Sequence, residues 1–108
     1  VIWDLFGIVI GGKWGYLDEH ETVVIEPQFA MAGPFSERLA FVDVGEPFVI
    51  GTRKEPFKFG YIDRTGQIVI SPQYDLAEPF SGGLALVKVG EKSGYINKTG
   101  KYVWEPTN

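Results

Sequence analysis

The sequence predicts an all-β protein made of three repeated units, each a three-stranded antiparallel meander, joined as a barrel or as a short β-solenoid. Three observations predict this. A motif recurs three times, the apolar runs are only five or six residues long and bounded by Gly, Pro and Asp or Asn, and no segment sustains a 3.6-residue period. The motif is Lys13-Trp14-Gly15-Tyr16-Leu17-Asp18, repeated as Lys58-Phe59-Gly60-Tyr61-Ile62-Asp63 and as Lys92-Ser93-Gly94-Tyr95-Ile96-Asn97. A longer block from Pro27 to Gly45 recurs from Pro72 to Gly90, and Leu5, Ile8, Ile10 and Gly11 fit the positions of Leu84, Val87, Val89 and Gly90.

Each unit holds three apolar runs in the order A, B, C. Run A covers 5–10, 39–44 and 84–89; run B covers 14–18, 59–63 and 93–97; run C covers 22–26, 67–71 and 101–105. All are rich in Val, Ile, Tyr, Phe and Trp, residues that suit a pleated, half-buried surface. In run A, Ala40, Val42 and Val44, like Ala85, Val87 and Val89, form one apolar face, which predicts core on that side. Asp43 and Lys88 fall on the other face, which is expected to be at least partly wet. Between B and C, Asp63-Arg64-Thr65-Gly66 and Asn97-Lys98-Thr99-Gly100 predict a type I turn opened by an Asx residue and closed by a left-handed glycine, as in a G1 bulge. Unit 1 has Glu21 in place of that glycine, which predicts a strained or differently shaped turn. Gly11, Gly45 and Gly90 mark the reversal from A to B. From C to the next A the chain passes through Pro27 and Pro34, or Pro72 and Pro79, which predicts an irregular crossover because proline cannot donate to a central ladder.

Spacing locates one irregularity. Gly15 to Ile25, Gly60 to Ile70 and Gly94 to Trp104 are each ten residues, and Ile25 to Leu39 and Ile70 to Leu84 are each fourteen, so the repeat is 34 residues. Gly15 to Gly60 is 45, and the eleven extra residues fall within 46–57. The single repeat domain 1–108 therefore divides into units of approximately 1–34, 35–79 and 80–108, with an insertion at 46–57 in the second.

Composition excludes several classes. Eight Phe, five Tyr and three Trp in 108 residues are too much apolar mass for a disordered tail. The net charge of −4 and a pI near 4.9, with no basic stripe, leave no footprint for nucleic acid. Residues 5–12 form the longest uncharged apolar stretch, far below the ~20 of a membrane helix, and no basic segment precedes it as in a signal peptide. The chain reads as soluble, with its compartment undetermined; it opens at Val1, as a piece of a longer protein would. The lack of cysteine excludes disulfides and thiolate metal sites.

The Lys-Trp-Gly-Tyr-Leu-Asp motif, followed by Val24-Ile25-Glu26-Pro27-Gln28-Phe29 and Pro34-Phe35-Ser36, resembles the WG repeat, a β-rich repeat of bacterial proteins. Unit 2 matches through Phe59-Gly60-Tyr61, Pro72-Gln73-Tyr74 and Pro79-Phe80-Ser81. Only Trp14 keeps the tryptophan, with Phe59 and Ser93 in its place elsewhere. The resemblance implies tandem β-units and carries no catalytic residues.

Catalytic groups are scarce. His20, the single histidine, falls in a turn, which denies a histidine metal cluster and leaves a serine triad without support. Asp18 and Asp63, considered as a glycosidase carboxylate pair, share one repeat position that becomes Asn97 in unit 3, so capping a turn is the expected role. Ser36 and Ser81 are expected to satisfy backbone groups. Tyr16, Tyr61 and Tyr95, like Phe35 and Phe80, are expected to build a shared core. No enzyme, cofactor or metal is expected. The leading expectation is a protein-binding module; the alternative is a cell-envelope glycan binder that uses Trp3, Trp14 or Trp104 as a stacking surface. The expected contact site is the insertion, with Phe48, Ile50 and Phe57 beside Arg53 and Lys54 on a projecting hairpin, the aromatic and cationic mixture of interface hot spots.

Overall fold

The computed structural model describes residues 5–44 and 58–107, the last four by backbone alone, and in them eleven β-strands and no helix. They are β1 (Phe6–Ile10), β2 (Lys13–Leu17), β3 (Val23–Phe29), β4 (Met31–Ala32), β5 (Ala40–Asp43), β6 (Phe59–Ile62), β7 (Ile68–Tyr74), β8 (Leu76–Ala77), β9 (Leu84–Val89), β10 (Lys92–Asn97) and β11 (Tyr102–Thr107). Strands β1-β2-β3 make sheet 1, β4-β5-β6-β7 sheet 2 and β8-β9-β10-β11 sheet 3, every pairing antiparallel between neighbours in sequence. None of the sheets closes into a barrel. Two have four strands rather than the expected three.

The fourth strand comes from the stretch expected to be an irregular crossover. Strands β3 and β7 run straight through Pro27 and Pro72, then after one residue enter the next sheet as β4 and β8. Proline is tolerated because β3 and β7 are edge strands, where its missing N–H leaves no ladder bond unmade. Each covalent repeat thus straddles two sheets, stapling neighbours together.

The Gly of the Trp-Gly pair is explained by the same stretch. Between Trp14↔Phe29 and Tyr16↔Ile25 the outer strand has two residues more than the inner one, and the identical slip recurs between Phe59↔Tyr74 and Tyr61↔Ile70. The surplus backbone folds over the glycine. A Cβ on Gly15 would lie 2.5 Å from the Ile25 carbonyl oxygen and 2.7 Å from the Pro27 nitrogen.

Two cores lie between the sheets. Tyr16, Ile25 and Phe29 of sheet 1 pack on Ala40, Val42 and Ile62 of sheet 2, and Tyr61, Ile70 and Tyr74 of sheet 2 pack on Ala85, Val87 and Ile96 of sheet 3. Each sheet therefore has a forward face carrying the motif tyrosine and a rear face that receives it. The hydroxyl of Tyr16 donates to the Gly33 carbonyl at 2.5 Å and that of Tyr61 to the Glu78 carbonyl at 2.6 Å. Tyr16 meets Phe35 edge-on at 4.7 Å, and Tyr61 meets Phe80 at 4.9 Å. Burial pushes both phenols well above the ordinary tyrosine range. One expectation for run A is corrected: Asp43, on the face expected to be at least partly wet, is 1% exposed, because the forward face of sheet 2 is covered at this position. At the ends of the runs, Val44 and Val89 are exposed, since each core stops one residue pair short.

The turn in unit 1 keeps the shape of its relatives and takes the strain. Glu21 has φ +62, against +90 for Gly66 and +87 for Gly100, and its N–H bonds to the Asp18 carbonyl as theirs do to Asp63 and Asn97. Left-handed backbone costs a residue with a Cβ about 1–2 kcal/mol. Glu21→Gly is expected to stabilise the protein by roughly 0.5–1 kcal/mol, the gain trimmed by the entropy of the unfolded glycine. Urea titration checks it, and an unchanged or lower midpoint means the glutamate carries no strain.

Candidate functional site

Phe48, Ile50, Arg53, Lys54 and Phe57 lie outside the described residues, as does the hairpin expected of them. The base from which the insertion leaves is described. Asp43 closes β5 and Lys58 precedes β6; the buried Asp43 carboxylate accepts the Lys58 backbone N–H at 2.8 Å. The Lys58 ammonium pairs with the Asp75 carboxylate, whose other oxygen accepts the Gly90 N–H at 2.6 Å. The Lys58 contact, followed by the Gly90 N–H, holds Asp75 below the usual carboxylate range. The foot of the insertion is thereby fixed to sheet 2 by one carboxylate and to sheet 3 by another. Sequence reasoning missed both acids. Asp43 aligns with Lys88 and Asp75 with Ala30, so neither has a repeat signal; their departure from the repeat beside an insertion is the signal that points to them.

At the opposite end of the strands lie the B-to-C turns and the short turns before run A. The carboxylate of Asp18 accepts the N–H groups of His20 and Thr22 at 2.8 and 3.0 Å. Asp63 accepts the Thr65 hydroxyl at 2.6 Å and the Thr65 and Gln67 N–H groups, and Asn97 repeats that pattern with Thr99 and Lys101. The Thr22 N–H for Asp18 and the Thr65 hydroxyl for Asp63 are the main causes that lower both pKa values. Both carboxylates are thus held ionised by the bonds that shape the turn, the reverse of the raised pKa a glycosidic general acid needs. His20 is exposed on the same turn, 3.7 Å from the Glu19 carboxylate. Among the described residues no group of three His, Cys, Asp or Glu is placed to hold a metal.

The turn before β5 links the units at this end. Glu37 and Arg38 adopt φ +53 and +72, where unit 3 has Gly82 and Gly83 at +61 and +82. In return the Glu37 carboxylate accepts the N–H groups of Gly82 and Gly83 at 2.6 and 2.8 Å and lies 3.5 Å from the Lys98 ammonium. These bonds, Gly83 foremost, lower its pKa. Ser36 donates its hydroxyl to the Phe80 carbonyl at 2.6 Å, the backbone role expected of it. Beside this contact Arg38, Asp63, Arg64 and Thr65 line an open groove of about 530 Å³.

The outer strands add a row of exposed aliphatic side chains. Val24, Val69 and Val103, one per unit, are 43%, 45% and 54% exposed. Each is the extra residue of a bulge, between Tyr16↔Ile25 and Leu17↔Val23 in sheet 1 and at the matching steps of sheets 2 and 3. Trp14 is half-buried, packed against the first core and over Gly7, where a Cβ would lie 3.0 Å from its ring. Trp3 and the side chain of Trp104 lie outside the described residues.

The model of the WG containing repeat matches this chain at residues 14–46 and 59–92, more than half of its length. The chain belongs to the WG repeat family. Each match opens at the Trp-Gly position and runs through the first long strand of the next sheet, β5 or β9, and residues 47–57 of the insertion fall between the two matches. No curated protein and no solved structure matches the chain. No helix among the described residues is long and apolar enough to cross a membrane.

Proposed function

We propose that this WG repeat protein is a non-catalytic module that binds a protein partner. The observation that carries the reading is the row Val24, Val69 and Val103. Residues recurring at one repeat position normally build the core, yet here an aliphatic side chain is kept outward in all three units. The bulges twist the outer strands and discourage indiscriminate edge pairing, so a partner is selected by side chains rather than by backbone. Arg38, in the groove at the same end, adds a cationic group suited to an acidic segment. The insertion is the second candidate contact, because its foot is held at Asp43 and by the Lys58–Asp75 pair while Phe48, Ile50, Arg53, Lys54 and Phe57 serve no position of the repeat. The glycan alternative is weakened by Trp14, which spends much of its ring on the first core.

Photo-crosslinking residues placed singly at positions 24, 69, 103, 48 and 54, with Gln28 as control, test this in a lysate of the source cells. One discrete protein adduct from the Val row or the insertion, absent at position 28, is expected. No adduct at any position, together with saturable quenching of tryptophan fluorescence by cell-wall oligosaccharides, overturns it in favour of the glycan.

A further inference from the structure

The B-to-C turns and the outward valines form one strip across the three sheets. A Cβ on Gly66 would lie 3.2 Å from Ile25 Cγ2, and one on Gly100 3.3 Å from Ile70 Cγ2, so each turn rests on the outer strand of the unit before it, beside Val24 in one case and Val69 in the other. The order along the strip is therefore first turn, Val24, second turn, Val69, third turn. Val24 and Val69 stay 43% and 45% exposed with the following unit in place. Charge changes sign along the same strip. The first turn carries Asp18, Glu19 and Glu21, the second sets Arg64 against Asp63, and the third carries Lys98 and Lys101 with no acid. With His20 uncharged, one repeat position thus runs from −3 through 0 to +2. Glu19, Glu21, Lys98 and Lys101 are all exposed there.

We infer that the partner docks a charge-polarised segment of its chain on this strip: apolar side chains cover Val24 and Val69, basic ones meet Glu19 and Glu21, and acidic ones meet Lys98 and Lys101. This rests on the reading of the valine row as a protein-binding surface, and it gives that partner a chemistry and a direction. Charge complementarity selects the occupant. A uniformly acidic or uniformly basic chain is attracted at one end of the strip and repelled at the other, whereas a segment basic at one end and acidic at the other is attracted along its length. Spacing sets its pattern. Packed sheets lie ~10 Å apart and an extended chain advances ~3.3 Å per residue, so the two apolar residues stand about three apart, with the charges outside them. Arg38, exposed in the groove beside the second turn, adds a cation at the middle of the strip, so the acidic stretch of the partner is the longer one.

Selection of random peptides, displayed on phage, against the 108-residue chain tests the inference. Enriched sequences are expected to hold Lys or Arg towards one end, Asp or Glu towards the other and apolar residues between. The most enriched peptide, synthesised with a fluorescent label, is then titrated by anisotropy. The double variant Lys98→Gln, Lys101→Glu should weaken it by about threefold to tenfold, the scale of exposed charge pairs, and changing the peptide's acidic residues to Lys should restore binding to that variant. Glu19→Lys with Glu21→Lys should act in the same way on the basic end, and Val69→Asp should abolish binding while circular dichroism shows the fold retained. Added salt should weaken the parent complex as well, a readout that needs no variant to fold. Binding lost in Val69→Asp but unmoved by both charge variants and by salt leaves the valine row in place and overturns the charge pattern. No enriched peptide, or binding indifferent to Val69→Asp, overturns the inference together with the reading it rests on.

Discussion

Gly60→Ala is expected to destabilise the protein by about 3 kcal/mol or more, the scale of a severe overpacking change. At ~4–8 °C per kcal/mol for domains near this size, that is a fall in melting temperature of roughly 12–24 °C. The cause is a lack of space, not a left-handed backbone. A Cβ on Gly60 would run into the Ile70 carbonyl oxygen and lie 2.7 Å from the Pro72 nitrogen and 2.8 Å from the Ser71 carbonyl carbon. All three are backbone atoms, so no side-chain rotation relieves them, and β7 would have to lift from β6 where Phe59↔Tyr74 and Tyr61↔Ile70 bracket the bulge. Lifting it also parts Tyr74 and Ile70 from the core with sheet 3. Gly82→Ala is the control, since Gly82 has φ +61 and nothing within 4 Å of its Cβ position. It should cost only the left-handed penalty, about 1–2 kcal/mol. Thermal melts of both variants decide, and a Gly60→Ala loss no larger than that of Gly82→Ala means the close approach is not what selects glycine in the Trp-Gly pair.

Most of the architecture was legible because the repeat tests each assignment more than once. Periodicity of two in runs A and B, glycine at Gly66 and Gly100, and a 34-residue spacing left little freedom. The extra strands β4 and β8 were not legible for a physical reason: a two-residue strand carries no period, and Pro27 and Pro72 argue against pairing unless the strand is already known to be an edge. Asp43 was misplaced for a related reason. Alternation assigns a face, but whether that face is wet depends on which sheet comes next, and for sheet 2 the forward face is covered. Pairings between units were equally invisible, because a carboxylate such as Glu37 has no local partner in the sequence, and the two N–H groups it caps are 45 and 46 residues away. The identity Gly33 against Glu78 becomes readable only with the structure. A Cβ at Gly33 would strike the Phe41 ring, whereas Leu86 at the matching place in unit 3 leaves room for Glu78.

Tyr61→Ala is expected to be the most damaging substitution at a side chain, at about 3–5 kcal/mol, the range for emptying a large aromatic site in a core. Tyr61 is fully buried and stands at the centre of the junction between sheets 2 and 3. Its ring meets Phe80 edge-on, and its hydroxyl satisfies the Glu78 carbonyl. Removing it leaves a cavity that two sheets must close by moving together, and the Glu78 and Phe80 backbone tied to it moves with them. Tyr61→Phe separates the two contributions. The ring and its packing stay, the carbonyl loses its donor, and the expected cost is about 1–2 kcal/mol. Tyr95→Ala should lose less than half of what Tyr61→Ala loses, because Tyr95 is 41% exposed where Tyr61 is fully buried. Denaturant titration of the three variants gives the comparison. Equal losses at Tyr61 and Tyr95 would mean that the motif tyrosine stabilises its own sheet alone, and that the contact between sheets does not hold the array together.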